Sequence, residues 1–456
     1  MSTSLSRAAG DGRPQAPIRL LHLGLGNFFR AHQAWYTDRA PDANHWGIAA
    51  FTGRRPGLAD ALWAQDGLYT LVTRGARGDR NSVVSSLAAV HPGGDHEAWL
   101  SYWQRPELAV VTMTVTEAGY TSLPGGGLDV SRPDVQADIE TLRKSPTGPA
   151  STAAGRLLAG LAARQAAGCP PLAIVPCDNL PGNGEVIRQA VHDLAEHTGL
   201  TELVDQQASF VTCMVDRITP ATTDQDREAV GEATGRIDAA PVVTEPFSEW
   251  VLSGDFPAGR PRWEDVGARF VDDIIPYEQR KLWLLNGAHS LLAYAGSALG
   301  HTTVAEAVAD PCCREWLDQW WSEASSHLPL PTRDLADYRE ALLGRFANPC
   351  IRHLLAQIAA DGSQKLPVRV LPVLRLERAR GAMPQGAIRI LAAWIGHLRG
   401  AGAPVQDARA AEVVPLAQGP LPEAVRRLLG YLDPQLPFDS PLVAALTTAA
   451  ESVTTP

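Results

Sequence analysis

Four short apolar runs, each stopping at a polar or glycine-containing loop, constrain this chain more than any other feature. The first opens "IRLLHLGLGNFFRAHQAWYTDRA" at Ile18: a strand, a glycine turn, then a helix. "HWGIAAFTG" follows, then "ELAVVTMTVTEAGY" at 107–120 and "PPLAIVPCDNLPGNG" at 170–184. A strand buried on both faces reads as a continuous apolar run, because helices cover each side of a parallel sheet. Segments such as "STAAGRLLAGLAARQAAG" supply that cover. The pattern predicts an α/β unit, with a site along the carboxyl ends of its strands.

Beyond about residue 271 the texture changes. "DDIIPYEQRKLWLLNGAHSLLAYAGSALG", "VAEAVADPCCREWLDQWWSEASSHL" and "DLADYREALLGRFANPCIRHLLAQIAADG" carry helical periodicity and no strand pattern. A chain of 456 residues is too long for one core. The expected division is a structureless lead over 1–16, an α/β unit over 17–270 and a mainly α-helical unit over 271–456. The tryptophans of "LDQWW" look exposed on their helix, which burial between domains explains as well as an interface does.

Composition excludes several classes of function. A net charge of -10 speaks against nucleic acid, which demands a concentrated basic surface. No apolar run reaches the roughly 18 residues that span a bilayer, and "MSTSLSRAAGDGRPQAP" has no signal-peptide core. The six cysteines are scattered without a CxxC pair, so free thiols in a reducing cytoplasm and no cysteine-bound metal are expected.

Gly24 and Gly26 stand between strand and helix. The first permits a tight turn, and the second lets backbone amides approach a pyrophosphate at the helix start, where Asn27 and Phe28 follow. Phe29 stands near the place of the third glycine of the full dinucleotide fingerprint. A plain tight turn is the alternative. The second strand ends at Thr52, with no acid for a ribose 2′-hydroxyl, and Arg54 and Arg55 follow. That leans toward NADP, or use of both NAD and NADP, although the arginines also read as solvated loop residues.

The stretch "KLWLLNGAHS" places polar groups in an otherwise apolar helix. At 100° per residue, taking Lys281 as zero, Glu278 falls at about 60°, His289 at about 80° and Asn286 at about 140°. A buried ammonium costs most unless used. Alcohol–carbonyl interconversion uses such a set: a base for the hydroxyl proton, amide donors for the developing alkoxide and a histidine that orients substrate. Desolvation in a cleft would pull a lysine toward a useful pKa. Each residue alone has a structural explanation, His289 as a satisfied core histidine and Lys281 as one whose head reaches solvent.

The chain resembles the mannitol dehydrogenase family of polyol-specific long-chain dehydrogenases and reductases. The resemblance rests on "GLGNFFRAHQAWYTD", "QDGLYTLV", "PCDNLPGNG", "MVDRITP", "KLWLLNGAHS", "RFANPCIRH" and "DGSQKLP", in family order over nearly the whole chain. It implies a Rossmann-type domain followed by a helical domain, and metal-independent hydride transfer with NAD or NADP. It further implies Lys281 as general base, Asn286 and Asn179 as oxyanion donors, His289 as substrate-orienting group and Glu278 as proton exit. Asp216 and Lys365 match polyhydroxyl contacts; Lys365 also suits a sugar carboxylate. Gln357 stands where the family often has arginine, and His353 where aspartate is common.

The substrate is thereby left open among mannitol–fructose, arabinitol–xylulose and mannonate–fructuronate. A catalytically silent NAD(P)-binding regulatory protein is the alternative, against which the intact Lys281, Asn286 and His289 speak. No partner besides a small molecule is expected, in a monomer or weak homo-oligomer.

Overall fold

The computed structural model describes residues 3–53, 57–123 and 126–454. The chain falls into two compact units, Met1–Ile274 and Ile275–Pro456.

The first unit is built on a six-stranded sheet. In chain order its strands are β1 (Ile18–Leu23), β2 (Gly47–Phe51), β3 (Leu87–His91), β4 (Val110–Met113), β5 (Leu172–Pro176) and β6 (Ala208–Phe210). All pairings are parallel, and the spatial order is β3-β2-β1-β4-β5-β6. This is the doubly wound dinucleotide-fold order, whose topology reverses beside β1. Alternate side chains serve opposite faces. Leu21, Leu23, Ala49, Phe51, Val111 and Ile174 pack with Trp99, Trp103 and Leu158 on one side. Leu20, Ile48, Ala50, Val110 and Ala173 pack with Phe29, Ala34 and Tyr36 on the other. Register aligns Leu23, Phe51, Met113 and Pro176, so the loops that follow these strands open at one edge.

Two of the sheet strands, β3 and β6, carry no clear sequence signal, and further strands join outside the sheet. Tyr69–Gly75 and Gly78–Val84 form an antiparallel hairpin, and Thr212–Asp216 pairs antiparallel with Glu249–Ser253. The opening residues differ from the structureless lead expected of them. Thr3–Ser4 pair with Arg236–Ile237, and Arg7 donates to the carbonyls of Ser85 and Leu87 at 2.8 and 3.0 Å. Polar composition hid these long-range contacts.

The second unit is helical among its described residues. Its central element is one long composite helix. Ile275–Arg280 is α-helical, Lys281–Gly287 is a π segment, Ala288–Leu291 returns to α, and Leu292–Gly296 is again π. A π turn bonds i to i+5, which leaves carbonyls poorly served by the helix itself. Side chains serve them here. The indoles of Trp320 and Trp321 donate to the carbonyls of Trp283 and Leu284 at 2.9 and 2.8 Å. Both tryptophans are therefore buried inside this unit, against the exposed appearance of "LDQWW". Gly287 makes the approach possible, since a Cβ there would lie 2.7 Å from the Trp320 ring.

Candidate active site

The loop after β1 turns at Gly24 with φ of +107°, and a Cβ on it would lie 2.1 Å from the carbonyl oxygen of Thr114. Only glycine fits that turn. Gly26 is different: its φ is -141°, and the nearest atom to a Cβ is the Gly24 oxygen at 3.6 Å. Nothing within the protein requires glycine at 26. A cleft of about 630 Å³ opens there, lined by Gly24, Gly26, Asn27 and Phe28, by Thr114 and Thr116 after β4, and by Asp178 and Asn179 after β5. These are the dimensions and donors that a nucleotide's phosphates and ring would occupy.

Behind the glycine turn lies a residue with no assigned place in the sequence pattern. His22 is fully buried, stacked on Phe29 with centroids 3.4 Å apart, and bonded to the Thr112 and Thr114 hydroxyls at 2.8 and 3.1 Å. Burial pushes its pKa down to about 3, so the ring is neutral at working pH. The Thr114 hydroxyl in turn donates to the Gly24 carbonyl at 2.8 Å, fixing the turn.

At the end of β2, Thr52 is buried and its hydroxyl accepts from Gly93 N at 2.9 Å. No acid stands at that strand end. Arg54 and Arg55 lie outside the described residues. Asn179 is exposed on the loop after β5. That loop is braced: Tyr120 donates to the Asp178 carboxylate, and Asn183 bridges to the Cys213 backbone at 2.9 and 3.0 Å. Asp216 is buried at the end of Thr212–Asp216, in register with Glu249.

In the second unit, Glu278, Lys281, Asn286 and His289 all stand on the composite helix, Lys281 and His289 buried and the other two half-buried. The regular spacing of 100° per residue does not apply across them. Lys281–Gly287 is a π segment, and its i to i+5 turn brings residues five apart, such as Lys281 and Asn286, closer in angle than an α-helix would. The Asn286 carbonyl accepts from the Ser290 hydroxyl at 3.1 Å and from Arg369 Nη1 at 3.4 Å.

His289 meets Phe346 and His353, with ring centroids 4.9 and 5.0 Å away. Burial, then the charges of His353, Arg345 and Arg369, hold its pKa well below the ordinary value. Among the described residues its Nε2 takes no hydrogen bond. It opens on a cleft of about 230 Å³ shared with His353, Gln357, Ile358, Lys365 and Arg369. Lys365 thus joins His289, and two positions that depart from the family pattern, His353 and Gln357, are on the same wall. Arg369 escaped the sequence reading; its signal was the i, i+4 spacing from Lys365 on one helix, Gly362–Arg369.

Among the described residues one group outside these clefts brings three possible metal ligands together, His301, Asp310 and Cys313, with their ligand atoms within 4.8 Å of one another. Helix capping accounts for it: Asp310 accepts from Cys312 N and Cys313 N and pairs with His301 at 3.0 Å. All six cysteines are free thiols. Among the described residues no helix is long and apolar enough to cross a membrane.

Known proteins match over nearly the whole chain. The model for the mannitol dehydrogenase Rossmann domain matches residues 18–265, and that for the mannitol dehydrogenase C-terminal domain matches 273–454. D-mannonate oxidoreductase of Escherichia coli K12 is 35% identical over 95% of this chain and 93% of its own length. Mannitol 2-dehydrogenase of Cereibacter sphaeroides is 37% identical over 88% and 84%. The ternary complex of Pseudomonas fluorescens mannitol 2-dehydrogenase with NAD and D-mannitol superposes with a TM-score of 0.78 at 33% identity, covering 98% of this chain and 93% of that one. The chain belongs to the mannitol dehydrogenase family.

Proposed function

We propose that this protein is an NAD(P)-dependent oxidoreductase that moves hydride between nicotinamide and a secondary carbinol of a linear polyol or sugar acid. Residues 17–270 hold the dinucleotide and residues 271–456 hold the substrate. The observation that carries this reading is the set Lys281, Asn286 and His289 on one helix that turns π across Lys281–Gly287, just before His289, because such turns collect at functional sites.

The first-unit cleft fits a dinucleotide: Gly26 leaves open the space that a pyrophosphate needs, and backbone amides at the helix start face it. A bound nicotinamide would supply or accept the hydride. The chain's own residues handle the proton and the charge. Lys281, in its neutral form, takes the hydroxyl proton as the carbon loses hydride. The amide groups of Asn286 and Asn179 donate to the oxygen on which negative charge develops. His289, kept neutral by burial, has an unmatched Nε2 with which to orient the hydroxyl. Glu278, half-buried one turn before Lys281, relays the proton outward. Asp216 and Lys365 hold the remaining oxygens. The pair Arg54 and Arg55, with Thr52 in place of an acid, favours NADP or use of both cofactors.

The test is nicotinamide absorbance with purified protein and excess chelator. Mannitol, arabinitol, sorbitol and mannonate are offered with NAD and NADP, and fructose and fructuronate with the reduced forms. Turnover of at least one pair is expected. Binding of reduced dinucleotide without turnover of any compound would refute the catalytic roles, and failure to bind either dinucleotide would refute the reading of Gly24 and Gly26.

A further inference from the structure

Helix capping accounts for how His301, Asp310 and Cys313 come together, and it uses only part of what they offer. The three flank one short helix, Val304–Ala309. His301 stands before its N-cap Thr303, Asp310 follows its last residue, and Cys313 lies in the first turn of the next helix, Pro311–Ser325. Asp310 Oδ1 does the capping, accepting from Cys312 N and Cys313 N at 2.8 and 3.2 Å. Oδ2 is turned to His301 Nε2, 3.0 Å away. The Cys313 thiol takes no part in the cap, and among the described residues no hydrogen bond reaches it. One imidazole nitrogen, one carboxylate oxygen and one sulfur therefore lie within 4.8 Å of one another.

A tetrahedral centre with bonds of about 2.0–2.3 Å holds its ligand atoms about 3.3–3.8 Å apart, so movements of about 1 Å close this set around an ion. Imidazole, carboxylate and thiolate are the donors that a borderline-soft divalent ion takes. The sulfur forms a buried floor, while His301 and Asp310 are half-buried, which leaves an ion a way in from solvent. Burial, then the Asp310 charge, pushes the Cys313 thiol up to about 12, so without an ion it is neutral and inert. Coordination sends its proton to solvent as the sulfur–metal bond forms. The charges nearby suit a cation. His301 above all holds Asp310 below the usual carboxylate range, and Arg314 is paired with Asp318 at 3.0 Å. The backbone around His301 is fixed: Leu355 N donates to Thr302 O and Val304 N to His353 O, each at 3.0 Å, and Thr303 bridges to Leu354. An ion here would staple the start of Pro311–Ser325 to the backbone that carries His353.

We propose that His301 Nε2, Asp310 Oδ2 and Cys313 Sγ form a structural site for a zinc-class divalent cation, with water in the fourth position. The sequence hides it because it needs one thiol and no CxxC pair. The proposal does not rest on the oxidoreductase reading, since an ion that staples the fold takes no part in hydride transfer.

The test titrates the full chain, stripped with chelator, with cobalt(II) and reads the thiolate-to-metal charge-transfer absorption. Zinc(II) is then titrated by calorimetry and thermal melting. One ion per chain, a sulfur charge-transfer band and a melting temperature raised by zinc(II) are expected. Cys313→Ser should lose the band. His301→Gln and Asp310→Asn should weaken zinc(II) binding by about tenfold or more. Asparagine caps as well as aspartate, so Asp310→Asn should melt like the ion-free parent and report on the ion alone. Cys312→Ser removes the exposed neighbouring thiol and should bind like the parent. A band that survives in Cys313→Ser, or one that vanishes in Cys312→Ser, overturns the assignment. Equal zinc(II) affinity in the parent, His301→Gln and Asp310→Asn overturns it too, and would mean an adventitious ion only.

Discussion

The cleft around Gly24 and the cleft around Lys365 draw their polar capacity from opposite sources. At Gly24 the wall is backbone at the head of a helix, the polar ring behind it is a neutral histidine stacked on Phe29, and shape is set by a carbonyl that tolerates no Cβ. At Lys365 the donors are charged side chains, carried on helices or beside a helix distorted into π turns. Backbone donors suit a ligand of fixed form. Side-chain donors suit a ligand that changes from relative to relative, because one substitution re-aims them without disturbing the fold. Gln357 and His353, two of the departures from the family pattern, stand on the side-chain-built wall, while the missing acid at the end of β2 belongs to the first unit.

If the proton chemistry belongs to the second unit, Lys281→Ala lowers kcat by about 10²–10⁴-fold while leaving reduced-dinucleotide affinity near that of the parent. Steady-state rates and a fluorescence titration of NADH and NADPH check both halves. Collapse of affinity together with rate would erase the division between the clefts.

The two glycines of the first cleft separate structure from binding. Gly24→Ala forces a Cβ against the Thr114 carbonyl at a positive φ, so the variant is expected to lose more than about 3 kcal/mol or fail to fold. Gly26→Ala meets no atom closer than 3.6 Å and should keep its melting temperature while weakening dinucleotide binding by about tenfold or more. Equal behaviour of the two variants in thermal melts and titrations would remove the case for a ligand-shaped gap at Gly26.

The π turn is tested through Gly287. An alanine there pushes on the Trp320 ring, whose indole serves the Trp283 carbonyl, at a cost of about 1–3 kcal/mol. Turnover should fall with stability, and dinucleotide affinity should not move. A variant that melts early but turns over normally would show that the distortion serves packing alone.

His22 gives an effect that appears only in acid. The unfolded chain takes up a proton near pH 6.5, and the folded chain refuses it down to about pH 3. Its contribution is therefore complete above pH 6.5 and is lost as the pH falls, with a slope approaching about 1.4 kcal/mol per pH unit. Melting curves from pH 7 to 4 for the parent and His22→Asn should converge toward the acid end. Parallel curves would mean that the ring does not stay neutral.

Legibility in the sequence followed the same divide. The strands at 18–23, 47–51, 110–113 and 172–176 stood out because burial on both faces demands unbroken apolar runs. β3 and β6 did not: "LAAVH" is ordinary in composition, and the described pairing of Ala208–Phe210 covers only a few residues. The opening residues escaped because their order comes from partners as distant as Arg236–Ile237. Gly24 and Gly26 were readable as backbone requirements. Lys281, Asn286 and His289 were readable as polar residues in an apolar helix, but their angular relation was not, since nothing in "KLWLLNG" marks a π turn. The donors that meet its carbonyls, Trp320, Trp321 and Arg369, lie far along the chain.

The most direct test is the pH dependence of kcat/KM for alcohol oxidation in the parent and in Lys281→Ala. If Lys281 is the base, the parent's rate falls tenfold per unit as the pH drops below a single ionisation and levels off above it, and the variant's residual rate shows no such limb. The same limb at the same pH in both proteins would assign the proton to another group and contradict the account.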